Sequence, residues 1–327
     1  MGAPMLDVQD LRVTIRGDEG VARILDHIAF RLEPGRILGV VGESGCGKST
    51  LIRAILGILP RGARIGAGRI MFEGEDLLAF SEAELNRQVR GSRISFIPQD
   101  PYLALNPVFT VGAQMMETMR RHRPGTARDH RAELVRLLRR VQLPDAEAAL
   151  DRYPHQFSGG QRQRLLIAAA LACAPRLVVA DEPTTALDVT TQQQILVLLR
   201  ELVEETGVSM LFVTHDLGVV AELCDDLAVI YAGQSIETGP ARAVLSNPLH
   251  PYTRALLACH PDRSEGFVGI PGAVPSPLRA PPGCRFAPRC PQARQACPAR
   301  APHPRAAAPG RAVDCVLYDS VLAEASP

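Results

Sequence analysis

The sequence predicts an α/β fold, a mostly parallel sheet alternating with helices, that ends in a Pro-rich, Cys-containing appendage. Three observations predict it. Short apolar runs at 37–41, 177–180, 210–213 and 227–231 lack alternation, as strands buried on both faces do. A Gly-rich loop joins the first of these runs to a helical stretch at 49–59, giving the strand, loop and helix that begin an α/β unit. Composition then changes at Pro240: 16 of the 27 prolines lie in the 88 residues from there onward.

Each element has its own signal. Residues 6–32 read as a hairpin, with Leu11, Val13 and Ile15 alternating on one arm and Ile28, Phe30 and Leu32 on the other. Arg16-Gly17-Asp18-Glu19-Gly20 is the turn between them, and Pro34-Gly35 is a second turn before the strand at 37–41. The middle of the chain, 101–174, reads as a helical subdomain. There Leu134, Leu137, Leu138 and Val141 recur at helical spacing with Arg and Glu on the other face. A strand at 177–180, a helix at 191–205 and strands at 210–213 and 227–231 complete the alternation, with right-handed crossovers expected. So many prolines after residue 240 forbid long helices and central strands. The reading is therefore a nucleotide-binding domain over 1–240 and a tail domain over 241–327 that needs a staple.

Composition narrows the class. Thirty-six basic and 35 acidic side chains leave a net charge of +1, which argues against a nucleic-acid partner. The longest apolar run, 165–174, is too short to span a bilayer, and the N-terminus shows neither a basic nor an apolar leader segment. The expectation is a cytosolic chain, or one held at a membrane by a partner. Lys48 is the single lysine; every other basic side chain is Arg or His. Lysine is the compact point charge of a phosphate cradle, and Arg does not replace it. Of eight cysteines, Cys284, Cys290, Cys297 and Cys315 crowd into the tail, where a cytosolic chain more often holds metal than disulfides.

Gly42-Glu43-Ser44-Gly45-Cys46-Gly47-Lys48-Ser49 fits G-x-x-x-x-G-K-[ST] between a strand and a helix. Glycines let successive N–H groups point at phosphate oxygens, and the helix N-terminus adds its partial positive charge. On this reading Gly42, Ser44, Gly45, Cys46, Gly47, Lys48, Ser49 and Thr50 hold the nucleotide. Lys48 reaches the β- and γ-phosphates, and the Ser49 hydroxyl ligates Mg²⁺. The run 177–180 ends in Asp181 and Glu182: Asp181 holds Mg²⁺, and Glu182 stands where a general base would polarise the attacking water.

Ser158-Gly159-Gly160-Gln161-Arg162 separates this chain from other phosphate-loop NTPases. With it the chain resembles the ATP-binding subunit of ABC transporters, over residues 6 to about 240. The resemblance implies an ABC-type ATPase core in which two subunits meet head to tail. The signature residues Ser158, Gly159, Gly160 and Gln161 of one then close on the γ-phosphate held by the other. It implies that Gln99 senses Mg²⁺ and water and connects to the membrane subunit, that Ala186-Leu187-Asp188 is the loop carrying Asp188 toward the nucleotide, and that His215 contacts the γ-phosphate. One element departs from the pattern: residues 11–25 contain no aromatic side chain to stack on adenine, which leaves Ile15, Arg16 or Arg23 for that contact.

Several stretches resemble the oligopeptide/dipeptide/nickel importers more narrowly. They are Gln99-Asp100-Pro101, Leu105-Asn106-Pro107, Thr185 through Thr190, His215 through Ala221, Tyr231-Ala232-Gly233-Gln234 and His250-Pro251-Tyr252-Thr253. Gly283-Cys284-Arg285-Phe286-Ala287-Pro288-Arg289-Cys290, with Cys297 and Cys315, resembles the cysteine tail of peptide-importer ATPases. The implied function is ATP hydrolysis that powers import of di- or oligopeptides. The implied partners are a paralogous ATPase subunit, two membrane permease subunits and an extracytoplasmic substrate-binding protein, with this chain peripheral on the cytoplasmic face. Nickel, opine or oligosaccharide import, and a soluble non-transport ATPase, are the alternatives. The tail spacing C-x5-C-x6-C-x17-C lacks the short pairs of zinc ribbons. Four such thiols fit a [4Fe–4S] cluster, as in the proteins resembled; Zn²⁺ and four unligated thiols are the alternatives.

Overall fold

The computed structural model describes residues 3–185, 187–259, 269–301 and 304–319. The described strands, numbered along the chain, are β1 (Leu6–Gly17), β2 (Gly20–Leu32), β3 (Ile37–Val41), β4 (Ala63–Phe72), β5 (Glu75–Asp76), β6 (Ile94–Ile97), β7 (Leu177–Asp181), β8 (Ser209–Thr214), β9 (Asp226–Tyr231), β10 (Gln234–Pro240), β11 (Arg305–Ala308) and β12 (Arg311–Val313). The α-helices are α1 (Lys48–Ile55), α2 (Glu82–Glu84), α3 (Val111–His122), α4 (Ala127–Arg140), α5 (Ala146–Ala149), α6 (Gly159–Leu171), α7 (Val189–Thr206), α8 (Leu217–Leu223), α9 (Ala241–Ser246) and α10 (Pro251–Ala258).

The chain divides into two compact units. One comprises Met1–Glu33, Ile37–Leu78 and Thr214–Pro327; the other comprises Pro34–Arg36 and Ala79–Val213. In the first unit β2, β1, β4 and β5 lie side by side as an antiparallel sheet. A second set runs β11-β12-β10-β9-β3, with β3 parallel to β9 and the rest antiparallel. All five residues of β3 are buried, as its apolar sequence dictates. In the second unit β8, β7 and β6 pair in parallel, Asp181 standing opposite Val213. Helices α3 to α6 give the region 101–174 its helical character, and Leu134, Leu138 and Val141 are fully buried in it.

The hairpin, the buried strands and the helix α7 fall where the sequence places them. Three differences have local causes. Helix α1 stops at Ile55 rather than residue 59, because Gly57 turns left-handed (φ 66°) and ends the helical path. Strand β4 escapes a periodicity reading because Gly66 and Gly68 interrupt it. Gly68 sits at φ 94°, where a Cβ would lie 2.5 Å from the Asp10 carbonyl oxygen. The tail's short strands β11 and β12 pair at a sheet edge, the position Pro-rich segments can hold. Among the described residues no helix is long and apolar enough to cross a membrane.

Candidate nucleotide site

The phosphate loop leaves β3 and enters α1. Gly42 is glycine of necessity: a Cβ there would lie 2.1 Å from the Ile230 carbonyl oxygen. Gly45 and Gly47 take φ of 78° and 105°, conformations that turn consecutive N–H groups to one side. Gly47 caps α1 without a side chain, and the first turn of α1 carries no acidic residue, so its N–H groups stay available to an anion. Lys48 is buried, and its Nζ donates to the carbonyls of Gly42 (2.7 Å) and Glu43 (3.3 Å), spanning the loop. Ser44, Gly45 and Ser49 are exposed and Thr50 is half-buried. Cys46 is buried under the loop, and that burial pushes its thiol pKa up against the opposing charge of Lys48. His215 belongs to the same unit, exposed, one residue beyond the end of β8.

The second unit carries the carboxylates. Asp181 ends β7, half-buried. Glu182 follows in a left-handed conformation (φ 43°), unusual for a non-glycine residue, and its N–H donates to the Val213 carbonyl (2.8 Å). Its Oε2 accepts from Gln99 Nε2 (3.2 Å) and from Thr185 Oγ1 (3.1 Å). The structure thus brings Gln99 and Glu182 together, 83 residues apart in sequence. Thr185 joins them, a contact the motif reading does not contain. Ser158 is the N-cap of α6, locked by a reciprocal capping box with Gln161. A Cβ on Gly160 would meet the Thr191 methyl at 2.7 Å, so α6 and the start of α7 approach closely there. Asp188 caps α7, and the hydrogen bonds from Thr191 hold its carboxyl pKa below the usual value. Ala186 lies outside the described residues.

The four tail cysteines line one small cavity together with His250, Arg300 and Asp314. All four are free thiols. Burial pushes Cys284 up to about 12 and raises Cys290 and Cys315 as well. His250 Nδ1 accepts from the Tyr252 N–H (3.0 Å), while its buried Nε2 finds no hydrogen-bond partner. The wall of this pocket thus carries four thiols and one unpartnered buried ring nitrogen. As they stand, no three His, Cys, Asp or Glu side chains among the described residues are arranged as a metal-ligand group.

Residues 25–185 match the ABC transporter family, and residues 236–297 match the oligopeptide/dipeptide transporter C-terminal region. A putative peptide import ATP-binding protein of Brucella abortus is 47% identical over 299 residues, covering 90% of each chain. The oligopeptide transport ATP-binding protein OppD of Salmonella typhimurium is 46% identical over 95% of this chain and 93% of its own length. Among solved structures, the ATP-binding cassette MJ0796, as a dimer in a post-hydrolysis state with ADP and phosphate, superposes with a TM-score of 0.65. It is 27% identical and covers 73% of this chain and 99% of that one. The chain belongs to the ATP-binding subunits of ABC transporters, in their oligopeptide/dipeptide branch.

Proposed function

We propose that this subunit hydrolyses ATP to power the import of di- or oligopeptides through membrane permease partners. The observation that carries the reading is the phosphate loop: glycine-built, backed by the only lysine, and opening onto an uncapped helix N-terminus. ATP's β- and γ-phosphates meet Lys48 and the N–H groups at the start of α1, and Ser49 in the first unit and Asp181 and Gln99 in the second would each serve as Mg²⁺ ligands. Glu182, steadied by Gln99 and Thr185, accepts a proton from the attacking water, and His215 contacts the γ-phosphate. Ser158, Gly159, Gly160 and Gln161, at the exposed N-cap and half-buried first turn of α6, and Asp188, at the exposed N-cap of α7, act on nucleotide held by a paralogous partner subunit. Four large apolar side chains between Gln99 and α3 are exposed: Tyr102, Leu103, Val108 and Phe109. Such a stretch suits docking of a permease on the cytoplasmic face. The relatives' peptide import role supports the substrate class, delivered by an extracytoplasmic binding protein. On this reading residues 1–240 are the nucleotide-binding domain and 241–327 the appended tail domain.

The test is reconstitution with the membrane permease subunits that copurify with this chain. Peptide-loaded binding protein should stimulate ATP hydrolysis and peptide uptake together; stimulation by nickel or oligosaccharide instead would reassign the substrate. Cys284, Cys290, Cys297 and Cys315 hold a [4Fe–4S] cluster that, when bound, staples a tail too Pro-rich to build its own core. Binding requires thiolates, and burial raises the thiol pKa of Cys284, Cys290 and Cys315, so occupancy rises with pH. Purified without oxygen, the chain should absorb broadly near ~400 nm with about four irons, and serine at any of the four cysteines should abolish the band. One tightly bound zinc would replace the cluster by a structural zinc site, and a metal-free folded tail would overturn both.

A further inference from the structure

Three sequence stretches that ATP hydrolysis does not itself require meet beneath the phosphate loop. Tyr231-Ala232-Gly233-Gln234, His250 through Thr253 and the segment between Cys284 and Cys290 all belong to the first unit. Gly233 accepts from the Asp26 N–H (2.7 Å), and Gln234 bonds Gly283 and Arg285 (both 3.1 Å). Arg285, fully buried, pairs with Asp26 (2.9 Å) and donates to the carbonyls of Arg23 and Ala232. Tyr231, Tyr252 and Phe286 pack ring against ring with centroids 4.5–5.4 Å apart. The Tyr252 hydroxyl accepts from the backbone N–H of Glu43, the second residue of the phosphate loop (3.0 Å).

Arg289 completes the brace. Its side chain is 4% exposed, and its guanidinium grips the Glu43 carboxylate with both ends of its fork, at 2.8 and 3.3 Å. The remaining N–H groups go to the Tyr231 hydroxyl (3.1 Å) and the carbonyls of Ile270 and Pro271 (2.8 and 2.9 Å). Every guanidinium donor is thus used, in the geometry that holds a carboxylate most firmly. The hydrogen bond to Glu43 keeps the Arg289 pKa above its ordinary value. The carboxylate so held is otherwise misplaced, because a negative charge on a loop built to receive phosphates repels its ligand.

We propose that Arg289 is a positioning residue of the nucleotide site: it neutralises and fixes Glu43, so that the tail's cysteine segment sets the affinity of the phosphate loop for ATP. The inference rests on the reading of residues 42–50 as an ATP site. Arg289 immediately precedes Cys290, so the tail segment that lines the four-thiol cavity is also the one that holds the loop.

The experiment is equilibrium ATP binding to the full chain, with melting temperature followed in parallel. Arg289→Ala should raise the Kd for ATP about tenfold, about 1.4 kcal/mol. Adding Glu43→Gln to Arg289→Ala removes the uncompensated charge and should recover most of that affinity without restoring the lost melting temperature. Arg289→Lys, which keeps the charge but not the fork, should fall between, and serves the same cycle if Arg289→Ala fails to fold. A Kd within twofold of the natural chain in Arg289→Ala would overturn the proposal. So would a double variant as weak as the single one, which would reduce Arg289 to packing of the tail. Failure of the natural chain to bind ATP would overturn the ATP reading instead.

Discussion

The phosphate loop and the Glu182 cluster do their work with opposite kinds of support. In the first unit Lys48 and Cys46 are buried, Gly42 has no room for a side chain, and buried aromatic and arginine side chains stand behind the loop. In the second unit Gln99, Thr185, Asp188 and Ser158 are exposed, and each is held by hydrogen bonds to side chains or N–H groups a few residues away or across one strand. The difference separates binding from turnover. A loop that must present N–H groups to phosphates without reorganising gains from a rigid, buried frame. Groups that must meet water and a partner subunit gain from exposure. Substitutions in the loop's frame should therefore cost stability and affinity together, whereas those in the carboxylate cluster should cost turnover alone.

The sharpest way to break this contrast is Glu182→Gln. It keeps the shape and both hydrogen-bonding partners while removing the base, so turnover should fall by ~10²–10⁴-fold. ATP affinity and melting temperature should stay close to those of the natural chain. A large loss of stability would show that Glu182 belongs to a frame after all. The counterpart in the first unit is Arg285→Met. It strips the buried Asp26 of its arginine partner, leaving only His27 Nε2 at 3.9 Å, at a cost of about 3–5 kcal/mol in urea unfolding. ATP affinity should fall with it, since Arg285 anchors the same tail segment as Arg289. Next comes Lys48→Ala, which removes both the phosphate contact and the bridge to the Gly42 and Glu43 carbonyls. ATP affinity should drop about 10²-fold, and Lys48→Arg should not restore it, because a planar fork does not fit a cradle sized for a point charge.

Much of this was legible in the sequence, and the part that was not has a physical reason. Buried strands announce themselves by unbroken apolar runs, so β3, β7, β8 and β9 lie within a residue or two of their expected limits. The phosphate loop, Asp181 with Glu182, and the α6 cap are local in sequence and therefore readable as motifs. The contacts of Glu182 with Gln99 and of Arg289 with Glu43 join residues 83 and 246 apart, and no periodicity carries such a pairing. Arg289 lies between tail cysteines, and their clustering is the readable signal of that stretch. Only the fold shows that Arg289 reaches Glu43 of the phosphate loop. Strand β4 was missed because two glycines erase its alternation, and β6 because four residues are too few to show one.

The smallest effect tests the contrast at the residue where cap and ligand contact coincide. Ser158 Oγ accepts from the Gln161 N–H, and the Gln161 side chain returns the bond to the Ser158 N–H. As an N-cap alone, Ser158→Ala should cost about 1 kcal/mol of stability, and Ser158→Gly only a few tenths. If the hydroxyl also meets phosphate across a subunit pair, the two variants should lose ATPase turnover equally despite their different stabilities. Unfolding of the isolated chain measures the first quantity and hydrolysis by the assembled transporter the second. Turnover that tracks stability, with Gly outperforming Ala, would make Ser158 a cap and nothing more, and would place it with the frame-building residues of the phosphate loop. Turnover lost equally in both would keep it among the exposed groups whose work begins only when a partner arrives.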